Sequence, residues 1–327
     1  MTVTRTLRIG TRRSALARAQ TQHIVEALGV PIEIVPIVTQ GDRSTEALAQ
    51  LGGTGVFVSA LRSALLTGEI DAAVHSFKDL PTAAADGIVV GAVPPREDAR
   101  DALVARSGLT LAELPQGARI GTGSPRRAAQ LRALGLGLEI IEIRGNVDTR
   151  LGKVASGELD GVVLALAGLR RLGRDSEATE VLDPIQVLPA AAQGALAVEC
   201  RASSEEVRAT LAGLEHADTR IAVTAERALL AALEAGCSAP VGAIAEVVEG
   251  DYGTDCKSRR PASGDERSRR DGCGTEVFLR ASVTAIDGSA AVRLSATGPT
   301  TDAEGVGRRL AAELLADGAD RMMGSSS

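Results

Sequence analysis

The chain has 327 residues, 44 % of them apolar and 24 % charged, a formal net charge of −6, and almost no aromatic residues: no Trp, one Tyr and three Phe. That length supports two or three domains with sizeable cores, and that composition excludes global disorder. The negative charge and the scarcity of stacking rings argue against a nucleic-acid-binding protein. With so few rings, the core must be packed with Ala, Val, Leu and Ile. No uninterrupted apolar run reaches about eighteen residues, so no membrane-spanning helix is expected. Met1–Arg13 lacks an apolar export segment, so a cytoplasmic protein is expected. Cys200, Cys237, Cys256 and Cys273 show neither CxxC pairing nor zinc-like His spacing, which predicts reduced thiols and no metal site.

In chain order, short β-branched runs are predicted as strands at Leu7–Gly10, Ile32–Val38, Ala72–Phe77, Ile88–Val93, Ala102–Ala105, Arg119–Gly121, Leu138–Ile143, Val162–Leu166 and Ala195–Glu199. Helical patterns fall between many of them, at Ala15–Leu28, Ser59–Leu66, Arg126–Leu134 and Thr149–Ala155. Apolar strands alternating with helices predict doubly wound α/β architecture. Two strand sets imply two similar domains, with Pro94-Pro95 and Pro189 where the chain would cross between them. A long helix is predicted over Thr219–Glu234, ended at Ala235-Gly236. Strands at Val241–Val248, Val277–Thr284 and Ala291–Ala296 and a helix at Ala303–Ala316 complete a smaller α+β domain. Within it, 249–275 is polar, charged and Gly-rich, and reads as a mobile insertion.

Candidate chemistry collects at strand ends. The first strand runs into Gly10-Thr11-Arg12-Arg13-Ser14, where Ser14 fits a helix N-cap and Arg12 stands beside it. That is either an anion site or plain capping with a solvated arginine. The arrangement recurs at Gly121-Thr122-Gly123-Ser124-Pro125-Arg126-Arg127. Two such sites at matching positions suggest one ligand held across a cleft. Of the 36 basic residues only Lys78, Lys153 and Lys257 are lysines. Arg126, Arg127, Arg144, Arg150 and Arg171 at strand ends exceed what one phosphate needs; a ligand with many carboxylates fits better. Lys78-Asp79 is either an exposed ion pair or a lone acid among cations, able to stabilise positive charge or relay a proton. His75 reads as structural. Cys237, in Gly236-Cys237-Ser238-Ala239-Pro240, is either a buried thiol or one projecting from a turn to form a covalent bond.

Taken together these blocks resemble one family, the porphobilinogen deaminases. The matching segments are RIGTRRSALARAQ (8–20), GVFVSAL (55–61), HSFKDLPT (75–82), IGTGSPRRAAQL (120–131), RGNVDTRL (144–151), LALAGLRRLG (164–173), LPAAAQGALAVEC (188–200), TAERALLAALEAGCSAPVGA (224–243) and LAAELLADGA (310–319). The resemblance implies two domains like periplasmic binding proteins, at 1–94 with 195–214 and at 99–190, and an α+β third domain at 217–327. It implies a monomer carrying one dipyrromethane cofactor in thioether linkage to Cys237. Four porphobilinogen molecules would be joined head to tail with loss of ammonia, and 1-hydroxymethylbilane released, on the route to haem, chlorophyll and cobalamin. Asp79 would be the catalytic carboxylate that stabilises azafulvene cations. Lys78, Ser124, Arg126 and Arg127 would bind cofactor carboxylates, and Arg12, Ser14, Gln20, Arg144, Arg150 and Arg171 the substrate and growing chain. No nucleic-acid or membrane partner is implied. The chain departs from the common pattern at Thr54 and Ser59, beside the loop 41–56, at Gly123, where a second Ser is frequent, and at Asp148, which would bring negative charge near Arg150. The competing reading is a non-catalytic two-lobed anion-binding protein, which would need neither Cys237 nor Asp79.

Overall fold

A computed structural model describes residues 6–37, 55–236, 239–249 and 274–323. Cys237, Cys256, Cys273, Thr54, most of the loop 41–56 and all but the ends of the insertion lie outside the described residues.

The first lobe opens with β1 (Leu7–Arg12), α1 (Ala15–Leu28), β2 (Ile32–Ile37), α2 (Gly55–Leu66), β3 (Ala72–Ser76) and β4 (Ile88–Ala92). The chain then crosses to β5 (Asp101–Ala105), β6 (Arg119–Thr122), α3 (Pro125–Ala133), β7 (Glu139–Glu142), α4 (Val147–Ala155), β8 (Gly161–Ala165), α5 (Leu166–Arg171) and β9 (Glu180–Val181). It returns through 182–195 to β10 (Leu196–Arg201) and α6 (Glu205–Leu211). The first sheet has the order β2-β1-β3-β10-β4 and the second β7-β6-β8-β5-β9. The two patterns match strand for strand. In each, one strand that follows a crossing (β10 or β5) runs antiparallel to both neighbours, and the others near it are parallel. The sheets are therefore mixed, because the chain enters each from the opposite lobe. β3 and β8 are buried along nearly their whole length, as central strands covered on both faces must be. β2 lies at an edge, where Pro36 costs no interior ladder bond.

The third unit packs α7 (Ala217–Ala232) and α8 (Ala303–Ala316) against an antiparallel sheet of β11 (Val241–Glu249), β12 (Thr275–Thr284) and β13 (Ala291–Pro299). Leu229, Val277, Leu279, Val283, Val306 and Leu310 are fully buried between these layers. The ends of the insertion, Glu249 and Thr275, are paired residues of β11 and β12 and not part of a loop. Among the described residues the buried apolar side chains are aliphatic apart from Cys200 and one ring, Phe77. No helix among the described residues is long and apolar enough to cross a membrane.

Candidate active site

Both predicted helix starts place a serine at the cap. The Ser14 hydroxyl accepts from the Ala17 N–H (3.2 Å), and the Ser124 hydroxyl accepts from the Arg127 N–H (3.4 Å). Each hydroxyl oxygen thereby uses a lone pair on the helix and keeps its own proton for a ligand. Arg12 ends β1, half-buried. Gln20, one face further along α1, is buried and exchanges hydrogen bonds with Ser76 at the end of β3, donating through Nε2 at 2.8 Å. It braces the strand that delivers Lys78 and Asp79.

Arg126 and Arg127 occupy the first turn of α3, where the helix dipole favours anions over cations. Both are buried. The compensating charge comes from Asp101, the first residue of β5: Arg126 donates to one carboxylate oxygen (2.7 Å) and Arg127 to the other (2.8 Å). Burial alone would raise the Asp101 carboxyl, but the two guanidinium groups outweigh it and hold it well below the carboxylate range. Further donors of the pair are spent on the carbonyls of Leu188 and Val163. The Nε of each arginine is buried with no hydrogen-bond partner.

Phe77–Asp79 form a 3₁₀ turn directly after β3. Lys78 is not half of an exposed ion pair. Its ammonium points across the seam and donates to Gln193 Oε1 (3.1 Å). Burial, and then repulsion from Arg127, push the Lys78 amine down to about 8, despite Asp79 and Asp101 nearby. Gln193 sits on the return crossing, fully buried. Its Nε2 donates to Asp101 Oδ1 and to the Ala99 carbonyl, both at 2.7 Å. One neutral amide thus joins the Lys78 turn of the first lobe to the Asp101–Arg127 cluster of the second. Gly194 follows with φ +87°, and a Cβ there would lie 2.2 Å from the Glu97 carbonyl oxygen, so the two crossings touch at a spot that excludes any side chain.

Arg150 on α4 donates to the Gly145 carbonyl (2.9 Å), and its guanidinium lies over Gly123, beside the Ser124 cap. Arg171, at the end of α5, donates to the Gly194 carbonyl (2.6 Å). Burial depresses both arginines, and Arg127 adds to the effect at Arg150. Asp148 does not place its charge on Arg150; it pairs with Arg174 instead (2.5 Å). Gly123 has a steric reason: a Cβ would meet the Ile143 carbonyl oxygen at 2.5 Å. Arg144 stands apart, exposed and paired with Glu142 (3.2 Å). His75 is buried with Nε2 3.2 Å from Glu199, which Arg62 also grips; this is a structural trio inside the first lobe.

Sequence reasoning missed Asp101, Gln193, Arg96 and Glu226. Glu226, on α7, is fully buried. It accepts from both ends of the Arg96 guanidinium (2.6 and 3.1 Å), from the Ala192 N–H (2.5 Å) and from the Ala245 N–H (2.7 Å). Arg96 in turn donates to the Gln193 carbonyl (2.8 Å). One carboxylate therefore pins both crossings to α7 and β11. Ten residues beyond Arg227 on that helix and its exit lies Cys237, outside the described residues. The sequence signal for this junction was slight: Gln193 is the one polar side chain in the small, apolar block AAAQGALA, and Glu226 stands beside Arg227 in TAERALL.

Two matching α/β lobes with desolvated cations at their shared seam, and a third unit locked onto the crossings, define a two-lobed α/β protein whose seam could accommodate a ligand with several negative charges. A family model described as "Porphobilinogen deaminase, dipyromethane cofactor binding domain" matches residues 7–209, and one described as "Porphobilinogen deaminase, C-terminal domain" matches residues 220–316. The porphobilinogen deaminase of Mycobacterium tuberculosis (strain ATCC 25618 / H37Rv) is 57 % identical over 320 residues, covering 97 % of this chain and 98 % of its own length. That of Mycobacteroides abscessus is 56 % identical over 321 residues, covering 97 % and 99 %. Among solved structures, the methionine-binding protein MetQ aligns with a TM-score of 0.42 at 12 % identity, over 64 % of this chain and 89 % of that one.

The chain belongs to the porphobilinogen deaminase family. It is an enzyme that polymerises porphobilinogen in tetrapyrrole biosynthesis, with a dipyrromethane cofactor. The residues present fit that group. A dipyrromethane from this substrate bears four carboxylates, and the seam holds Lys78, Arg126, Arg127, Arg150 and Arg171 against Asp101 and Asp79, with two buried guanidinium Nε atoms unsatisfied. Burial lowers Arg126 as well as Arg150 and Arg171, so these cations are short of counter-charge and would gain from added carboxylates.

Proposed function

We propose that the chain builds 1-hydroxymethylbilane from four porphobilinogen molecules at the seam between its lobes, with Asp79 as the catalytic carboxylate and Cys237 as the cofactor attachment point. The observation that carries this reading is the excess of desolvated cations around one buried aspartate, beside an acid on a short turn. When bound, dipyrromethane supplies the terminal pyrrole carbon to which the first substrate is joined.

Lys78, Arg126, Arg127 and the Ser124 hydroxyl would hold the carboxylate arms of the cofactor, since Ser124 caps α3, Arg126 and Arg127 lie in its first turn, and Lys78 joins their cluster through Gln193. Arg12, Ser14, Arg150 and Arg171 would grip the arms of incoming substrate and growing chain. Gln20 acts one step back, through Ser76. Arg144, exposed and weakly paired, remains free to swing toward a carboxylate at the edge. Asp79 would accept a pyrrole N–H of the substrate through its carboxylate. In that position it lowers the cost of positive charge as the substrate C–N bond breaks and ammonia leaves. The carbon–carbon bond then forms as the attacked pyrrole carbon gives up its proton. We place the protein in the cytoplasm as a monomer, with domains at 1–94 with 195–214, at 99–190 and at 217–327.

Turnover separates this reading from non-catalytic anion binding. Asp79→Asn should keep the covalent cofactor and lose porphobilinogen consumption by at least about 10²-fold. Wild-type protein that binds porphobilinogen without releasing ammonia would overturn the assignment.

A further inference from the structure

The turn that carries Asp79 has little support of its own. Within it, one backbone bond, from the Leu80 N–H to the Phe77 carbonyl (3.1 Å), closes the 3₁₀ turn. Residues 81–87 that follow contain no helix or strand. Phe77 is buried, but Asp79 is partly exposed. On its near side the turn is anchored by the Phe77 N–H, which donates to the Ala195 carbonyl (3.0 Å), and by the Lys78–Gln193 bond (3.1 Å); the carbonyls beyond Asp79 are held from the third domain. Arg227, on α7, lays its guanidinium over the Phe77 ring, 4.5 Å from the centroid. It donates to the Leu80 carbonyl (2.9 Å) and the Pro81 carbonyl (2.6 Å), with a longer contact to the Phe77 carbonyl (3.5 Å). These acceptors bracket Asp79 on both sides. A planar guanidinium with several fixed donors can span such a set of carbonyls while stacking on a ring, which an ammonium cannot.

The helix that bears Arg227 is itself immobilised. Its neighbour Glu226 is bound to Arg96 and to the Ala192 and Ala245 amides, and α7 shares a continuous core with α8. The same helix exits toward Cys237. We propose that Arg227 is a positioning residue for the reaction: it ties the backbone on either side of Asp79 to the helix that leads to Cys237, and so sets where the Asp79 carboxylate stands. This rests on the reading of Asp79 given above. The competing role for Arg227 is simple adhesion between the third domain and the first lobe, and the two roles differ in what else must change.

The test is a double-mutant cycle on holoenzyme, with Arg227→Met chosen to keep an unbranched apolar side chain beside Phe77 while removing the guanidinium and its donors. A small misplacement of a catalytic group costs on the order of 10²-fold in rate. Arg227→Met should therefore lower kcat on that order, leave KM for porphobilinogen within about threefold, and retain the cofactor mass. Amide hydrogen exchange across 77–82 should quicken. In an Asp79→Asn background the same substitution should cost less than about threefold, because both changes act through one carboxylate. Arg227→Lys, which keeps the charge, should recover part of the loss; it also serves in both backgrounds if the Met variant does not fold. A kcat within about threefold of wild type, unchanged exchange across the turn, or a full loss that persists in the Asp79→Asn background would each overturn the proposal. Should Asp79→Asn itself turn over normally, it is the assignment of Asp79 that fails.

Discussion

Replacing Glu226 by Ala removes one buried carboxylate and strands three partners at once. The Arg96 guanidinium loses two charge-assisted bonds, and the Ala192 and Ala245 amides lose their acceptor. Breaking a buried ion pair from one side costs about 3–5 kcal/mol, and each unsatisfied buried donor about 1–3 kcal/mol. The penalties overlap, because Arg96 can relax toward water through its partly accessible edge. The net effect is about 4 kcal/mol. For 327 residues melting as one unit, an entropy of roughly 2.1 cal/mol/K per residue converts this to a fall in Tm of about 6 °C. Thermal unfolding followed by calorimetry measures it directly. Glu226→Gln, which keeps the volume and one acceptor, should fall between wild type and Ala. The double change Arg96→Met with Glu226→Leu should cost less than Glu226→Ala alone, since no charge is then stranded. A Glu226→Ala protein that melts within about 1 °C of wild type would refute the view that this carboxylate locks the crossings to the third domain.

Two further outcomes follow from the site. Lys78 in apoprotein has its amine lowered to about 8 from 10.5 by burial and by Arg127. The folded state therefore binds fewer protons than the unfolded state between those values, so the penalty is full below about 8 and is relieved as pH rises. Wild-type apoprotein should gain stability relative to Lys78→Met on going from pH 8 toward 10, read by urea titration; a flat difference would contradict the burial of that charge. Arg144→Ala removes only an exposed pair with Glu142. Its stability should change by less than about 0.5 kcal/mol, while KM for porphobilinogen should rise and its salt dependence weaken; an unchanged KM would remove Arg144 from the substrate path.

What could be read from the chain beforehand was local. The bounds of α1 and α8, the serine caps at Ser14 and Ser124, and the alternation of strands with helices all depend on neighbours within a few positions, and the structure shows them where periodicity and capping placed them. The start of α2 at Gly55, ahead of the expected Ser59, follows from packing: Val58 is buried against the Phe77 and Leu80 side of the lobe, which outweighs the weak helix preference of a β-branched residue. Leu166 opens α5 and does not end the preceding strand, because that strand stops where Asp101 faces Ala165.

The part of the site that escaped sequence reasoning consists of long-range pairs. Asp101 meets Arg126, Gln193 meets Lys78, and Glu226 meets Arg96 across 25, 115 and 130 positions respectively. Nothing in local composition separates these buried polar residues from surface ones. Arg126 and Arg127 were legible as cations at a helix start, but not that part of their donor capacity is already committed to Asp101 and to backbone carbonyls. The pairing of Asp148 was hidden for the same reason, since its partner Arg174 lies two elements away, past β8 and α5.

The central claim is that a Cys237-linked dipyrrole is held by the cations at the seam, and intact-mass spectrometry of purified protein tests it most directly. Wild type should exceed its sequence mass by one dipyrromethane; Cys237→Ser and the pair Arg126→Leu with Arg127→Leu should lack the increment, and Arg144→Ala should keep it. A wild-type protein that forms product at its bare sequence mass, or a double arginine variant that folds and carries the full increment, would contradict the account.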